Sequence, residues 1–171
     1  MTFSKRLFSL ADKFLLKRYS YCMELFIGAD HQGFELKQEL KAWLTAAGHT
    51  VTDVGADSLQ EGDDYPDYGY KVAQAVAVKP DKRRGILLCG SGVGMAVVAD
   101  KVPGIRAALI HDADIARAAR RDDDINVLAL GAAYIAPNKA KEVVEAWLGT
   151  PFSGEERHKR RIGKIAEYEK H

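Results

Sequence analysis

No run in this 171-residue sequence approaches the ~20 apolar residues that a membrane-spanning helix requires, so such a span is excluded. Cysteine is scarce as well. Cys22 and Cys89 stand far apart in unlike surroundings, which argues against a secreted disulfide framework and for a reducing, cytoplasmic setting. An excess of either charge is also missing. The 25 Lys and Arg nearly cancel the 24 Asp and Glu, which leaves no global field to hold nucleic acid or an anionic membrane. An anion must then be gripped locally. No cluster of His, Cys, Asp and Glu shows metal-ligand spacing, so neither a metal nor a redox cofactor is expected. No repeat, low-complexity tract or linker divides the chain.

What is present reads as one compact domain. Hydrophobic residues make up 47% of the chain and charged residues 29%, a globular balance. Residues 1–22 are basic, with Phe3, Leu7, Leu10 and Phe14 near helical spacing; they read as an N-terminal extension ahead of a domain spanning residues 23–171. From Met23 onward, short apolar runs alternate with amphipathic stretches, the pattern of βαβ units. Strands are expected at 25–28, 50–54, 85–89, 106–110 and 127–130. Helices are expected at 34–47, 70–78, 94–101, 113–121, 139–148 and 155–169. The implied architecture is a single three-layer α/β/α Rossmann-like domain with a parallel sheet of about five strands and a C-terminal helix. In such sheets ligands bind beyond the carboxyl ends of the strands, which tells which loops to read.

Four segments carry more polar chemistry than packing requires. Gly28-Ala29-Asp30-His31 follows the first strand, where Asp30 reads either as a helix cap or as a site residue. Asp63-Asp64-Tyr65-Pro66-Asp67-Tyr68 reads alone as an acidic turn. Cys89-Gly90-Ser91-Gly92-Val93-Gly94 runs from a buried strand through a glycine-rich turn into a helix. Glycines let backbone N–H groups converge on an anion at a helix N-terminus. No Gly-Lys-Ser/Thr follows, which excludes a Walker loop, and the third glycine of the dinucleotide fingerprint would fall on Met95. A cysteine here is either a buried structural residue or a reactive one, since the helix terminus favours the thiolate. The last segment is the basic run Arg157-His158-Lys159-Arg160-Arg161. Arg157 and Arg161 are four apart and project from one helix face, where they either meet solvent or clamp a phosphate. Ile162, Ile165 and Tyr168 are expected to dock this helix.

Together these segments resemble a known family, the type B ribose-5-phosphate isomerases and the related galactose-6-phosphate isomerases. The resemblance runs from Met23 to about Tyr168 on GADHQGFELK, DYPDY, CGSGVGMAVVADKVPGIRA, DINVLALGA and ERHKRRI. It implies an aldose-ketose isomerase of a small sugar phosphate, most simply ribose 5-phosphate and ribulose 5-phosphate, working without a cofactor. By that resemblance Cys89 matches the base that moves the proton. The Gly90, Ser91, Gly92, Val93 and Gly94 loop matches the part that holds the enediolate, with Ser91 adding a hydroxyl. Asp30, His31 and Tyr65 match substrate contacts, and Arg157 and Arg161 match the phosphate-binding pair. A homodimer with sites at the subunit interface is implied as well.

Two positions depart from that pattern. Asp122 stands where many members carry the ring-opening His, with Asp123 beside it as a substrate contact. Ala133 stands where many carry an Arg that helps hold phosphate. An ionised carboxylate is a poor ring-opening acid, so open-chain substrates are expected to gain relative to cyclic ones. His111, at the end of the fourth strand, is a candidate substitute. Two other function classes compete. A sugar-phosphate sensor without turnover is favoured by the two departures, and a dinucleotide oxidoreductase by Asp53 and Asp57 after the second strand.

Overall fold

The computed structural model describes residues 23–170; the segment 1–22 and its helical spacing lie outside the described residues. The chain alternates strictly: β1 Glu24–Ala29, α1 Phe34–Ala46, β2 Thr50–Asp53, α2 Tyr65–Ala77, β3 Arg83–Cys89, α3 Val93–Ala99, β4 Ala107–Leu109, α4 Ala113–Asp123, β5 Val127–Gly131, α5 Pro137–Leu148 and α6 Glu156–Tyr168. The five strands form one sheet in the order β2-β1-β3-β5-β4, every pairing parallel. This is the three-layer α/β/α arrangement expected.

The central strands β1, β3 and β5 are nearly continuous apolar runs because helices cover both faces of a parallel sheet. Side chains alternate between the two faces. Ile86 and Leu88 of β3, with Leu128 and Leu130 of β5, pack among Leu36, Leu40, Leu44, Val143 and Trp147 of α1 and α5. Leu87 and Cys89, with Val127 and Ala129, pack on the opposite face among Val72, Val76, Met95 and Ala99 of α2 and α3. Cys89 therefore points toward the α2/α3 layer. The edge strand β2, TVTD, alternates exposed and half-buried residues, as a strand covered on one side should.

The sheet's direction of winding reverses between β1 and β3. From β1 the chain moves outward to β2, and from there it crosses to β3 on the other side. The loops that follow β1 and β3 diverge from this point, opening the crevice where such folds place their ligands.

Two expectations need correcting. Helix α2 begins at Tyr65 rather than Tyr70, because Pro66 sits in its first turn, where a missing N–H costs nothing and the fixed φ suits a helix. The docking of α6 is also different. It is fastened by His158, which is 3% exposed, whereas Ile165 and Tyr168 are 45% and 78% exposed. His158 Nδ1 lies 2.7 Å from the Ser153 hydroxyl, so a polar contact holds this helix where an apolar stripe was expected.

Candidate active site

The turn after β1 is closed by its own aspartate. Asp30 is 5% exposed and its Oδ1 accepts the Gly33 N–H at 3.0 Å, while its own N–H donates to Leu88 O of β3 at 3.3 Å. Burial pushes its carboxyl above the usual carboxylate range, against the pull of the Gly33 N–H. Asp30 thus fastens the β1 turn to β3 instead of capping α1, whose first residue follows Gly33 without a side-chain cap.

His31, next in the chain, is held by a residue 32 positions away. Asp63 Oδ1 accepts the His31 backbone N–H at 2.9 Å and meets His31 Nδ1 at 2.7 Å. The contact with Asp63 raises the imidazole above its ordinary value of 6.5, with Asp30 and Glu61 adding to the pull. For Asp63, burial opposes ionisation, but the N–H and ring of His31 bring the carboxyl below its ordinary value of 3.8.

The glycine-rich turn follows β3. Cys89 is 5% exposed, and its Sγ accepts the Gly92 N–H at 3.1 Å. Gly92 has φ of +78°, a left-handed conformation that turns this N–H back on the sulfur. The Val93 N–H donates to Ser91 Oγ at 3.3 Å. The N–H groups of Gly90, Ser91 and Gly94 have no acceptor among the described residues, so these donors are left for an anion. Tyr65, in the first turn of α2, brings the hydroxyl end of its ring against this loop. A Cβ on Gly94 would stand 2.5 Å from its ring, so only glycine permits the approach.

The end of β5 closes the other side. Ala132 N–H donates to Cys89 O at 2.9 Å and Ala133 N–H to Gly90 O at 3.0 Å, which pins the turn after β5 to the cysteine loop. His111, beyond β4, accepts the Gly131 N–H on Nε2 at 3.0 Å. That nitrogen is occupied as an acceptor, which leaves it no proton to give.

The remaining expected residues lie elsewhere. Helix α4 runs back toward the start of β5, so Asp122 and Asp123 stand at the amino end of the sheet. β5 alone separates the two ends by about 13 Å, at ~3.3 Å per residue. Asp122 is bound by Arg121 at 2.7 Å and 2.9 Å, and this bond holds its carboxyl below the ordinary value. Arg157 stands near it on α6, paired with Glu155 at 2.7 Å, and Arg161 follows one turn later; both are exposed. Within one chain the structure therefore gathers Asp30, His31, Tyr65, Cys89 and the 90–94 loop at one end. It leaves Asp122, Asp123, Arg157 and Arg161 at the other.

Two contributors were given no individual role from sequence. Asp63 sits in an acidic run that carries no periodic signal. Lys37 falls beside the Leu36, Leu40 and Leu44 stripe and is fully buried. Its Nζ donates to Ala56 O at 2.6 Å and Asp53 Oδ1 at 3.1 Å, fastening the segment that leads to Asp63. Among the described residues no group of His, Cys, Asp and Glu is arranged to hold a metal ion, and no helix is long and apolar enough to cross a membrane.

Comparison with known proteins adds an independent line. The profile of the family described as Ribose/Galactose Isomerase matches residues 25–165. The chain is 46% identical to the D-erythrulose-4-phosphate isomerase of Pectobacterium atrosepticum over 133 residues, covering 77% of this chain and 86% of that one. It is 40% identical to the ribose-5-phosphate isomerase B of Mycolicibacterium paratuberculosis over 148 residues, covering 86% of this chain and 92% of that one. Among solved structures, the ribose-5-phosphate isomerase B of Mycoplasma genitalium with bound ribulose-5-phosphate superposes with a TM-score of 0.84 at 39% identity, covering 86% of this chain and 97% of that one. With the glycine-loop cysteine at the sheet's winding reversal and a profile match across nearly the whole described domain, this chain belongs to the ribose/galactose isomerase family.

Proposed function

We propose that this protein interconverts an aldose phosphate and its ketose phosphate, with ribose 5-phosphate and ribulose 5-phosphate as the pair, and that Cys89 moves the proton between C1 and C2. The observation that carries this reading is the Cys89 turn: a buried thiol faced by an N–H, beside three further N–H groups with no acceptor among the described residues. Proton abstraction next to a carbonyl needs a positioned base and stabilisation of the enediolate oxygens. Cys89 serves as the base and the Gly90, Ser91 and Gly94 amides as the donors, while Asp30, His31 and Tyr65 line the sugar's approach.

The phosphate clamp and the base lie at opposite ends of one chain, so one chain does not complete the site. We assign Arg157, Arg161, Asp122 and Asp123 to the site of a second copy in a homodimer. The two exposed guanidiniums of α6 would then enter the neighbour's crevice and bind phosphate there. Mixing inactive variants tests both proposals. Cys89→Ala and Arg161→Ala proteins should each lose activity on ribose 5-phosphate. After random reassociation half the dimers are mixed and one of their two sites is intact, so about a quarter of wild-type activity should return. Absence of complementation overturns the shared site. A Cys89→Ala protein with near wild-type kcat overturns the base.

A tetrose phosphate is the second reading. The likeness to a D-erythrulose-4-phosphate isomerase favours it, and so does Asp122, whose bond to Arg121 keeps it ionised and unfit to open a sugar ring.

A further inference from the structure

Helix α4 ends on Asp124, whose φ of +49° is the only positive value at a non-glycine among the described residues. The last carbonyls of a helix have no partner within it and are left to water or to a glycine-closed turn. Here two guanidiniums take them. Arg106, at the entry to β4, donates through Nε to the carbonyls of Asp123 at 3.1 Å and Asp124 at 3.0 Å, and through a terminal nitrogen to Asp124 O at 2.6 Å. Arg120, which is 6% exposed, donates to Ile125 O at 2.8 Å. Both then close on the Asp124 side chain, Arg106 on Oδ2 at 3.0 Å and Arg120 on Oδ1. The backbone of Arg106 is tied to the same segment. Its N–H donates to Asn126 Oδ1 at 2.9 Å and its carbonyl accepts the Asn126 N–H at 3.1 Å. A third guanidinium, Arg84, is near: burial and the charge of Arg120 push it down to about 10, while Asp124 opposes the shift. One carboxylate thus faces three arginines. Ending a helix needs none of them, since a glycine does so alone.

Asp123, one residue earlier, has its carbonyl held by Arg106 and its side chain exposed. We propose that Asp124, Arg106 and Arg120 are positioning residues for the site of the second copy: they lock the carbonyls of residues 123–125, so that the Asp123 carboxylate enters the neighbour's crevice in one orientation. The proposal rests on the shared-site reading above, which assigns Asp122 and Asp123 to that site. Arg120 braces the turn from within α4 and Arg106 from the start of β4, so two elements fix it. A frayed helix end would let the Asp123 carboxylate sample many orientations, and a misplacement of about 1 Å costs on the order of 100-fold in rate. The left-handed backbone also explains the choice of acid. Aspartate adopts this conformation more readily than most residues, and its short side chain stays between the two guanidiniums.

Asp124→Gly in the full chain separates the bracing from the helix stop, because glycine is at ease in the left-handed conformation and carries no carboxylate. The protein should fold, and kcat/KM for ribose 5-phosphate should fall about 100-fold. Reassociation then reads which half of the site is damaged. Mixed with Cys89→Ala, Asp124→Gly should return about a quarter of wild-type activity, since the mixed dimer joins an intact cysteine turn from one chain with an intact 122–124 turn from the other. Mixed with Arg161→Ala it should return nothing beyond its residual activity, because both chains then carry a defect in the same half. Arg106→Lys, a second variant in case the first fails to fold, keeps the positive charge and the Asp124–Arg120 pair but loses the fork. It should follow the same pattern with a loss of about tenfold. Wild-type kcat/KM in the folded variant, or any pattern other than recovery with Cys89→Ala alone, overturns the bracing while leaving the shared site standing. Failure of Cys89→Ala and Arg161→Ala to complement each other overturns both.

Discussion

Replacing Gly92 by Ala separates the two demands placed on the turn behind Cys89. The first is conformational: φ of +78° costs an L-residue about 1–2 kcal/mol. The second is steric. A Cβ at Gly92 would meet Leu109 Cδ1 at 2.5 Å, the Leu130 carbonyl carbon at 2.8 Å and the Gly131 nitrogen at 2.9 Å. The Leu109 methyl can rotate away, but the β5 backbone cannot, and forcing an extra methyl into such a site adds about 1–3 kcal/mol. The loss expected is then about 2–5 kcal/mol, a fall in Tm of roughly 5–20 °C for a domain of this size. Gly104 provides the control. It has φ of +81° and nothing within 4 Å of a would-be Cβ, so Gly104→Ala should show the conformational part alone, about 1–2 kcal/mol. Urea unfolding of the two variants measures the difference directly. Activity reports the same displacement more sharply. The Gly92 N–H is the donor to Cys89 Sγ, and a shift of about 1 Å in that turn is expected to lower kcat on the order of 100-fold in the folded protein. Equal destabilisation of the two variants would refute the packing argument. A folded Gly92→Ala protein with unaltered kcat would show that the turn does not position the thiol.

Trp147→Ala should cost about 3–5 kcal/mol by urea unfolding, because the indole is fully buried among α1, α5 and the sheet and donates to Ile125 O at 3.3 Å. It lies on the face away from Cys89, so KM in the folded protein should not move; a loss under about 1 kcal/mol would contradict the burial. The His31–Asp63 pair carries a pH signature in stability. The imidazole's folded value lies above 6.5, so its contribution is complete below that pH and fades as pH rises through the folded value. The carboxyl's folded value lies below 3.8, so its contribution is present above that pH and fades as pH falls through the folded value. The difference in Tm between wild type and Asp63→Asn should therefore be larger near about pH 5.5 than near about pH 9, and the opposite order would refute the pairing.

The sequence by itself determined the layers. Strand and helix periods are local, so alternating apolar runs and the four-residue spacing of Leu36, Leu40 and Leu44 were enough to specify a parallel α/β/α sheet. The Cys89 turn was legible for the same reason, since a strand end, three glycines and a helix start all fall within six residues. Helix α2 was misjudged at its start because Asp64 and Pro66 are equally good turn and helix-start residues, and only the packed chain distinguishes them. Tertiary structure decided everything that depends on strand order. Asp63 reaches His31 across 32 residues because β2 and β1 are neighbours, and no periodicity announces such a contact. The direction of α4 decided the fate of Asp122. A crossover helix must return to the amino end of the sheet before the next parallel strand can begin, and this sends Asp122, with α6 beside it, to the end of the sheet away from Cys89.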